Sequence, residues 1–511
     1  MADDVLIAET FPVAARAVGW PRRAAGLLLV ALSATAVFLA WRSLHWSLIH
    51  DAPLMHYAAW RIGQGAVPYR DLFDMNFPGV YLLHLGVLAL VGSGDEAWRF
   101  FDLFWLGGTS ALIAVYCRPF GAWSSALAAL LFGVYHLAGG ASSAGQRDYL
   151  LVAFLLAGAV LVARFWEDGR SLRPLAMAGL VLGGAMTLKP HAGLFWLILA
   201  ATAVQGARRR GQGPWGAFAV VIGCGLLPPV AAALWLWKVG GLTAFLDILT
   251  RYMLPLYSSL GRVSIFRALG WHPHNTAILG IVAALALLSL WRAWAGQQFD
   301  IRRGLLLMGL GYGIVHYWVQ GKGWEYHLYP LVGFACCLAA SWVDRVQVEH
   351  RPWIPAAILG GLLLLIIGLG VKGVEALDPA WIAEKERGVQ SLVRDLEGRV
   401  QLSGSVQVLD TTEGGIQALF RLGLNQPTRF IYDFHFFHDV DTPYIKSLRA
   451  EFLDALRRQP SEFLVVFERG WPDGGYDRLT GFPELLAWID ASYVLDQERH
   501  GYRLYAQRRD R

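Results

Sequence analysis

The chain has 511 residues, 55% hydrophobic and 16% charged, with a net charge of +5. A mean hydropathy of +0.41 excludes an ordinary soluble protein of this size and indicates a polytopic α-helical membrane protein. The pI near 9.0 gives no reason to expect nucleic acid, because most Lys and Arg lie in short clusters between apolar segments, as topogenic charges do.

The N-terminus is polar to Pro21-Arg22-Arg23, after which 24–41 runs without a charge. Ala34-Thr35-Ala36 resembles a signal-cleavage site, but an uncleaved first span makes the remaining topology consistent. Further apolar segments of spanning or near-spanning length are 77–91, 100–117, 122–138, 149–166, 175–188, 192–204, 215–237, 276–291, 304–319, 328–343 and 353–371. If 77–91 crossed the bilayer, the basic turns 164–173, 208–210, 292–303 and 345–351 would all face outward, against the positive-inside rule. Its short length and Gly86, Gly92 and Gly94 suit a re-entrant or interfacial helix at the outer surface. The basic turns then join Arg16, Arg22 and Arg23 in the cytoplasm.

The expected topology is about eleven spans in the inner (plasma) membrane, a cytoplasmic N-terminus and an exported C-terminus. The outward stretches are a first external loop at 42–99, then 139–148, 189–191, 238–275, 320–327 and the tail. Cys224, Cys336 and Cys337 sit within apolar segments and Cys117 closes another, so no disulfide framework is implied. No internal repeat is visible. Residues 1–376 read as a membrane domain and 377–511 as a small soluble α/β domain. In the latter, 406–409, 430–432, 463–467 and 502–506 have strand character, and 443–458 and 483–491 are helical in pattern.

Ionisable residues beside a bilayer are costly, and here they concentrate on the outward side. Asp51 stands where the first span leaves the membrane, placed for a general base to meet both a lipid-linked and an aqueous reactant. The loop also carries His56, Tyr69, Arg70, Asp71 and Asp74; the last two read first as caps of short helices. Arg147, Lys189, His191, Lys322, Tyr326 and His327 could stabilise a phosphate leaving group, and singly each reads first as an interfacial or structural residue. Asp51, Asp148, His191 and His327 could supply ligands to a divalent metal, although no two have the close spacing of a recognised motif.

A span ending at an Asp, an Ala-rich helix, Gly65-Ala66-Val67-Pro68-Tyr69-Arg70-Asp71 and Pro78-Gly79-Val80-Tyr81 together resemble the first external loop of GT-C glycosyltransferases. The likeness is to the bacterial branch related to protein mannosyltransferases and lipid A aminoarabinose transferases. It extends to Arg118-Pro119-Phe120-Gly121 and to the Arg147-Asp148 pair. The resemblance implies transfer of a sugar from a polyprenyl-phosphate donor to an extracytoplasmic cell-envelope glycan, lipid or protein, usually with inversion. It implies catalytic roles for Asp51 and Asp148. The chain departs from the family in having Ala52 after the first Asp, and Asn76 and Phe77 where members carry Lys or a second Pro. The alternatives are a transporter or flippase of a lipid-linked saccharide, which should show repeats or midplane charges, and an oligosaccharide polymerase or ligase.

Overall fold

A computed structural model describes residues 19–169, 171–271, 273–346, 353–377, 379–400, 404–470 and 473–508. Arg16, Arg170 and Arg351 of the expected cytoplasmic charges lie outside the described residues.

Uninterrupted apolar sequence in lipid must satisfy its backbone internally, and every apolar segment of the sequence lies on a helix. In chain order these are α1 (Gly19–Arg42), α2 (Asp51–Gly63), α3 (Pro78–Leu90), α4 (Asp95–Cys117), α5 (Ala122–Ala138), α6 (Arg147–Asp168) and α7 (Arg173–Leu188). There follow α8 (Ala192–Arg209), α9 (Pro214–Val239), α10 (Leu242–Ile248), α11 (Ile265–Trp271), α12 (Pro273–Ala295), α13 (Ile301–Gln320), α14 (Tyr329–Ala340), α15 (Val343–Val346) and α16 (Trp353–Ala376). Among the described residues, 6 helices are by length and composition alone able to cross a membrane, those containing α1, α4, α6, α9, α12 and α16. Large apolar side chains such as Leu27, Phe104, Trp215, Leu234 and Leu364 face outward from the bundle, as lipid-facing residues do.

α3 has 13 residues, a rise of about 20 Å against a hydrocarbon core of about 30 Å. Residues on both sides of it bond the tail: Asp74 accepts from Tyr432 Oη, and Asp95 Oδ2 accepts from Arg421 Nη2 at 2.9 Å. The helix therefore begins and ends on the tail side. Close approach holds it there, since a Cβ on Gly79 would lie 2.2 Å from Thr187 Oγ1 of α7. α7 meets α9 in the same way: a Cβ on Gly183 would lie 2.3 Å from the Gly225 carbonyl oxygen, the small-residue contact typical of membrane helices.

The tail continues with α17 (Pro379–Leu396), α18 (Gly415–Leu422), α19 (Pro443–Arg458) and α20 (Pro483–Ser492). Its strands are β1 (Val406–Leu409), β2 (Phe463–Phe467), β3 (Tyr493–Arg499) and β4 (Tyr502–Gln507), forming one sheet in the order β1-β2-β4-β3. β1 and β2 are parallel and wholly buried, which is why both read as unbroken apolar runs; the remaining pairs are antiparallel.

One expected strand needs correction, and one strand was not expected. Residues 430–432 do not join the sheet: Phe430 makes one isolated parallel bridge to Phe73, whose N–H donates to the Arg429 carbonyl at 2.7 Å. The apolar character there comes from docking the first external loop on the tail. The sheet instead takes β3, whose Asp496, Gln497, Glu498 and Arg499 conceal a strand because it is a mostly exposed edge.

Candidate active site

The structure gathers the stretches 42–99, 139–148, 189–191, 238–275, 320–327 and the tail at one end of the bundle. Arg147 reaches Asp51, Lys189 reaches Asp148, Lys322 Nζ donates to the Tyr257 carbonyl at 2.7 Å, and Tyr252 Oη lies 2.8 Å from His438 Nε2.

Asp51 is the first residue of α2, where the helix N-terminus favours a carboxylate. The chain turns into that helix at His50, held at φ 59°. Asp51 Oδ2 accepts from Arg147 Nη2 at 2.9 Å, and the two side chains are 25% and 17% exposed, so the pair borders water without being free in it. Arg147 Nη1 donates to Asn76 Oδ1, and Asn76 Nδ2 donates to both Asp74 oxygens at 3.0 and 2.9 Å. Asp74, 1% exposed, also accepts from Tyr81 Oη at 2.6 Å and from Tyr432 Oη of the tail. Residues far apart in sequence are thus tied through one guanidinium.

The next residue carries the second centre. Asp148 is fully buried; its Oδ1 accepts from His316 Nε2 at 2.6 Å and Gln320 Nε2 at 2.7 Å, and Lys189 Nζ lies 3.1 Å from Oδ2. Lys189 Nζ also donates to Gln320 Oε1 at 2.8 Å. A buried carboxylate is tolerable only with partners of this kind. Around it, Arg147 Nε, His191 Nδ1 and His327 Nδ1 are buried and have no hydrogen-bond partner. His191 lies edge-on to His316 with ring centroids 5.5 Å apart. Both His191 and His327 lie within electrostatic reach of Lys189 and Asp148. Burial pushes the His191 imidazole down to about 4 and that of His327 well below its ordinary value, so each is neutral at pH 7 and carries a single N–H. Two cations and three unpartnered nitrogens converge on one carboxylate, an arrangement that can receive an anion.

Other expected residues sit elsewhere. Lys322 Nζ bonds the carbonyls of Tyr257 and Leu260 and lies 4.3 Å from the centre of the Tyr257 ring, so it closes the 257–260 turn and does not reach Asp148. Tyr326 stacks edge-on against His327 at 4.6 Å and flanks that centre. His56 Nδ1 lies 2.7 Å from His84 Nδ1, and the pair packs on Trp98 beneath α2. Tyr69 Oη donates to the Asn76 carbonyl at 2.6 Å. Asp71 caps its turn by accepting from Val67 N at 2.8 Å and binds exposed Arg70. Sequence reasoning missed His316 and Gln320. Their signal was present, because they stand four apart on the last turn of α13 and so share one face.

Among the described residues no group of three or more His, Cys, Asp or Glu is arranged to hold a metal ion. The donor set agrees, for the Lys189 ammonium stands 3.1 Å from the second oxygen of Asp148, which has no hydrogen-bond partner, and Arg147 pairs with Asp51, so cations already face both carboxylates. The residues present do not fit a divalent-metal site at this centre.

Residues 77–235 match the Dolichyl-phosphate-mannose-protein mannosyltransferase family. Among solved structures, ArnT from Cupriavidus metallidurans bound to undecaprenyl phosphate is 13% identical, with a TM-score of 0.61 over 96% of this chain and 98% of that one. Its apo form gives a TM-score of 0.59 at 13% identity over 94% and 98% of the two chains. The Archaeoglobus fulgidus oligosaccharyltransferase tethered to an acceptor peptide gives 0.51 at 11% identity, over 96% of this chain and 74% of that one. No curated protein sequence matches. The chain thus shares the fold of these solved membrane proteins over nearly its whole length, and its residues 77–235 carry the mannosyltransferase family's sequence pattern.

Proposed function

We propose that the chain transfers a sugar from a polyprenyl-phosphate donor to an extracytoplasmic glycan, lipid or protein acceptor, with inversion at the anomeric carbon. The carrying observation is the buried Asp148–Lys189 centre with unpartnered Arg147 Nε, His191 Nδ1 and His327 Nδ1 around it, one residue along from the Asp51–Arg147 pair. In this reading the donor phosphate takes the place prepared by those nitrogens and draws on Arg147. Asp51 accepts the proton of an acceptor hydroxyl as oxygen bonds to the anomeric carbon and the bond to the phosphate oxygen breaks. The lipid phosphate departs as an anion, so it needs cations and N–H donors rather than a general acid. Asp148 is a positioning residue that fixes Lys189 and His316. The tail and the first loop are extracytoplasmic, and N-terminal Arg22 and Arg23 face the cytoplasm of a bacterial inner membrane.

The test is transfer itself. Purified protein in nanodiscs is given a panel of radiolabelled polyprenyl-phosphate sugars with envelope extract as acceptor. Label should enter an organic-insoluble product in wild type and not in an Asp51→Asn variant. Label crossing the bilayer of sealed vesicles without covalent transfer would replace this reading with a flippase.

A further inference from the structure

Asp102 of α4 is a fully buried carboxylate, and Arg99, one turn before it, and His136 of α5 are buried beside it. Its Oδ1 accepts the Gly145 N–H at 2.6 Å. Its Oδ2 accepts from Arg99 Nη1 and lies 3.0 Å from His136 Nε2; a carboxylate only accepts, so that ring nitrogen carries the proton. His136 Nδ1 lies 2.8 Å from Tyr329 Oη, and the His136 ring stacks on Tyr149 with centroids 3.8 Å apart. Tyr149 Oη in turn donates to the Asp102 main-chain carbonyl at 3.0 Å. On its other side Arg99 donates from Nη2 to Ser43 Oγ at 2.6 Å and lies over the Trp46 ring.

These contacts bracket the phosphate centre in sequence. Gly145 stands two residues before Arg147 and Tyr149 one after Asp148, so a single residue of α4 holds the chain on both sides of the Arg147-Asp148 pair. Tyr329 begins α14, two residues after His327, so the same carboxylate reaches the His327 side through His136. Gly145 is committed to its place: its φ is 64°, and a Cβ there would collide with the Trp98 ring. An N–H held by a carboxylate makes a hydrogen bond roughly twice as strong as a neutral one. That strength matters for Arg147, which already divides its guanidinium between Asp51 and Asn76. A group misplaced by about 1 Å can cost about a hundredfold in rate.

We propose that Asp102 is a positioning residue for the transfer reaction: through Gly145, and through His136 and Tyr329, it holds Arg147 and His327 where a donor phosphate can engage both. The role in transfer rests on the glycosyltransferase reading; the anchoring of the 145–149 turn does not.

Two double variants of the full chain in nanodiscs separate anchoring from charge neutralisation. Both remove the buried ion pair, whose replacement by neutral side chains of similar volume is often tolerated. Arg99→Met/Asp102→Asn keeps an oxygen for the Gly145 N–H, and Arg99→Met/Asp102→Leu does not. Undecaprenyl phosphate should bind the first within about twofold of wild type and the second about tenfold more weakly, the scale of one hydrogen bond. Hydrogen exchange at 145–149 should accelerate in the second alone. Tyr329→Phe deletes only the last hydroxyl of the chain of contacts; it should weaken binding about threefold and speed exchange at 325–329. A residue that merely neutralised Arg99 would leave the two double variants alike. Equal affinity in those two, or wild-type affinity in Tyr329→Phe should the Leu variant not fold, would overturn the proposal. Wild-type protein that binds no undecaprenyl phosphate would refute the donor reading instead, and exchange at 145–149 would still decide whether Asp102 holds the turn.

Discussion

Asp51→Asn separates two roles that the geometry allows. As general base, Asp51 loses its ability to accept a proton, which costs about 10² to 10⁴ in rate, or about 2.7–5.5 kcal/mol of transition-state stabilisation. As a mere anchor for Arg147, held at 2.9 Å, it would contribute one charge-assisted hydrogen bond, about 1.5–3 kcal/mol. Asn keeps an oxygen in the same place, so the anchoring loss should fall at or below the lower end of that range. The two roles appear in different constants. A lost base lowers kcat by at least about a hundredfold with donor KM little changed, whereas a loosened Arg147 raises donor KM and spares kcat. Steady-state kinetics in detergent, with donor and acceptor varied independently, measure both. We expect the first pattern, with unchanged thermal unfolding because the pair is partly exposed. Near-normal kcat with weakened donor binding would refute Asp51 as the base.

His327→Ala should weaken donor binding at least about fivefold with little loss of stability, since His327 Nδ1 bonds no protein group; equilibrium binding of undecaprenyl phosphate checks this. Lys189→Met should both abolish donor binding and destabilise the protein by about 3–5 kcal/mol, because fully buried Asp148 loses its closest cation; unfolding in detergent would show it. Asp74→Ala removes the acceptor for Tyr81, Asn76 and Tyr432 together and should unseat the first loop from the tail, seen as faster hydrogen exchange at 69–77 and 429–433. Burial raises the Asp410 carboxyl from 3.8 to about 6, so its ionisation opposes folding above that pH by about 3 kcal/mol. The strain is relieved as pH falls from about 6 towards 4, so protection factors in β1 and α18, corrected for the intrinsic pH dependence of exchange, should rise over that window in wild type and not in Asp410→Asn.

How far the sequence carried depends on the range of the interaction concerned. The positions of the apolar helices were legible because lipid imposes a local rule: apolar length and flanking charge decide, and neither needs a partner. The expected interfacial placement of α3 came from charge parity in distant loops, and its 13 residues rise about 20 Å, less than the hydrocarbon core. The parallel strands β1 and β2 were legible as buried apolar runs, while β3 was hidden by its solvated edge and 430–432 took on strand character from docking against Phe73.

The site divides along the same line. That Asp51, Arg147, Asp148 and Lys189 are candidates could be argued from charge at the membrane boundary, where such groups are costly. Which of them pair could not, since Arg147 chooses Asp51 and Asn76 across the fold rather than any residue within its own turn. Lys322 shows the converse. Its short run of cations, acid and aromatics looked like a binding turn, yet the ammonium is claimed by two backbone carbonyls of the 257–260 turn, an acceptor that no side-chain motif displays. A positive charge among polar residues therefore signals a demand for oxygen atoms, and only the folded chain decides whether its own backbone or a substrate phosphate meets that demand. At Lys322 the backbone has met it. At Arg147 and His327 one nitrogen each is left without a protein partner, which is why the proposed donor phosphate is assigned to them.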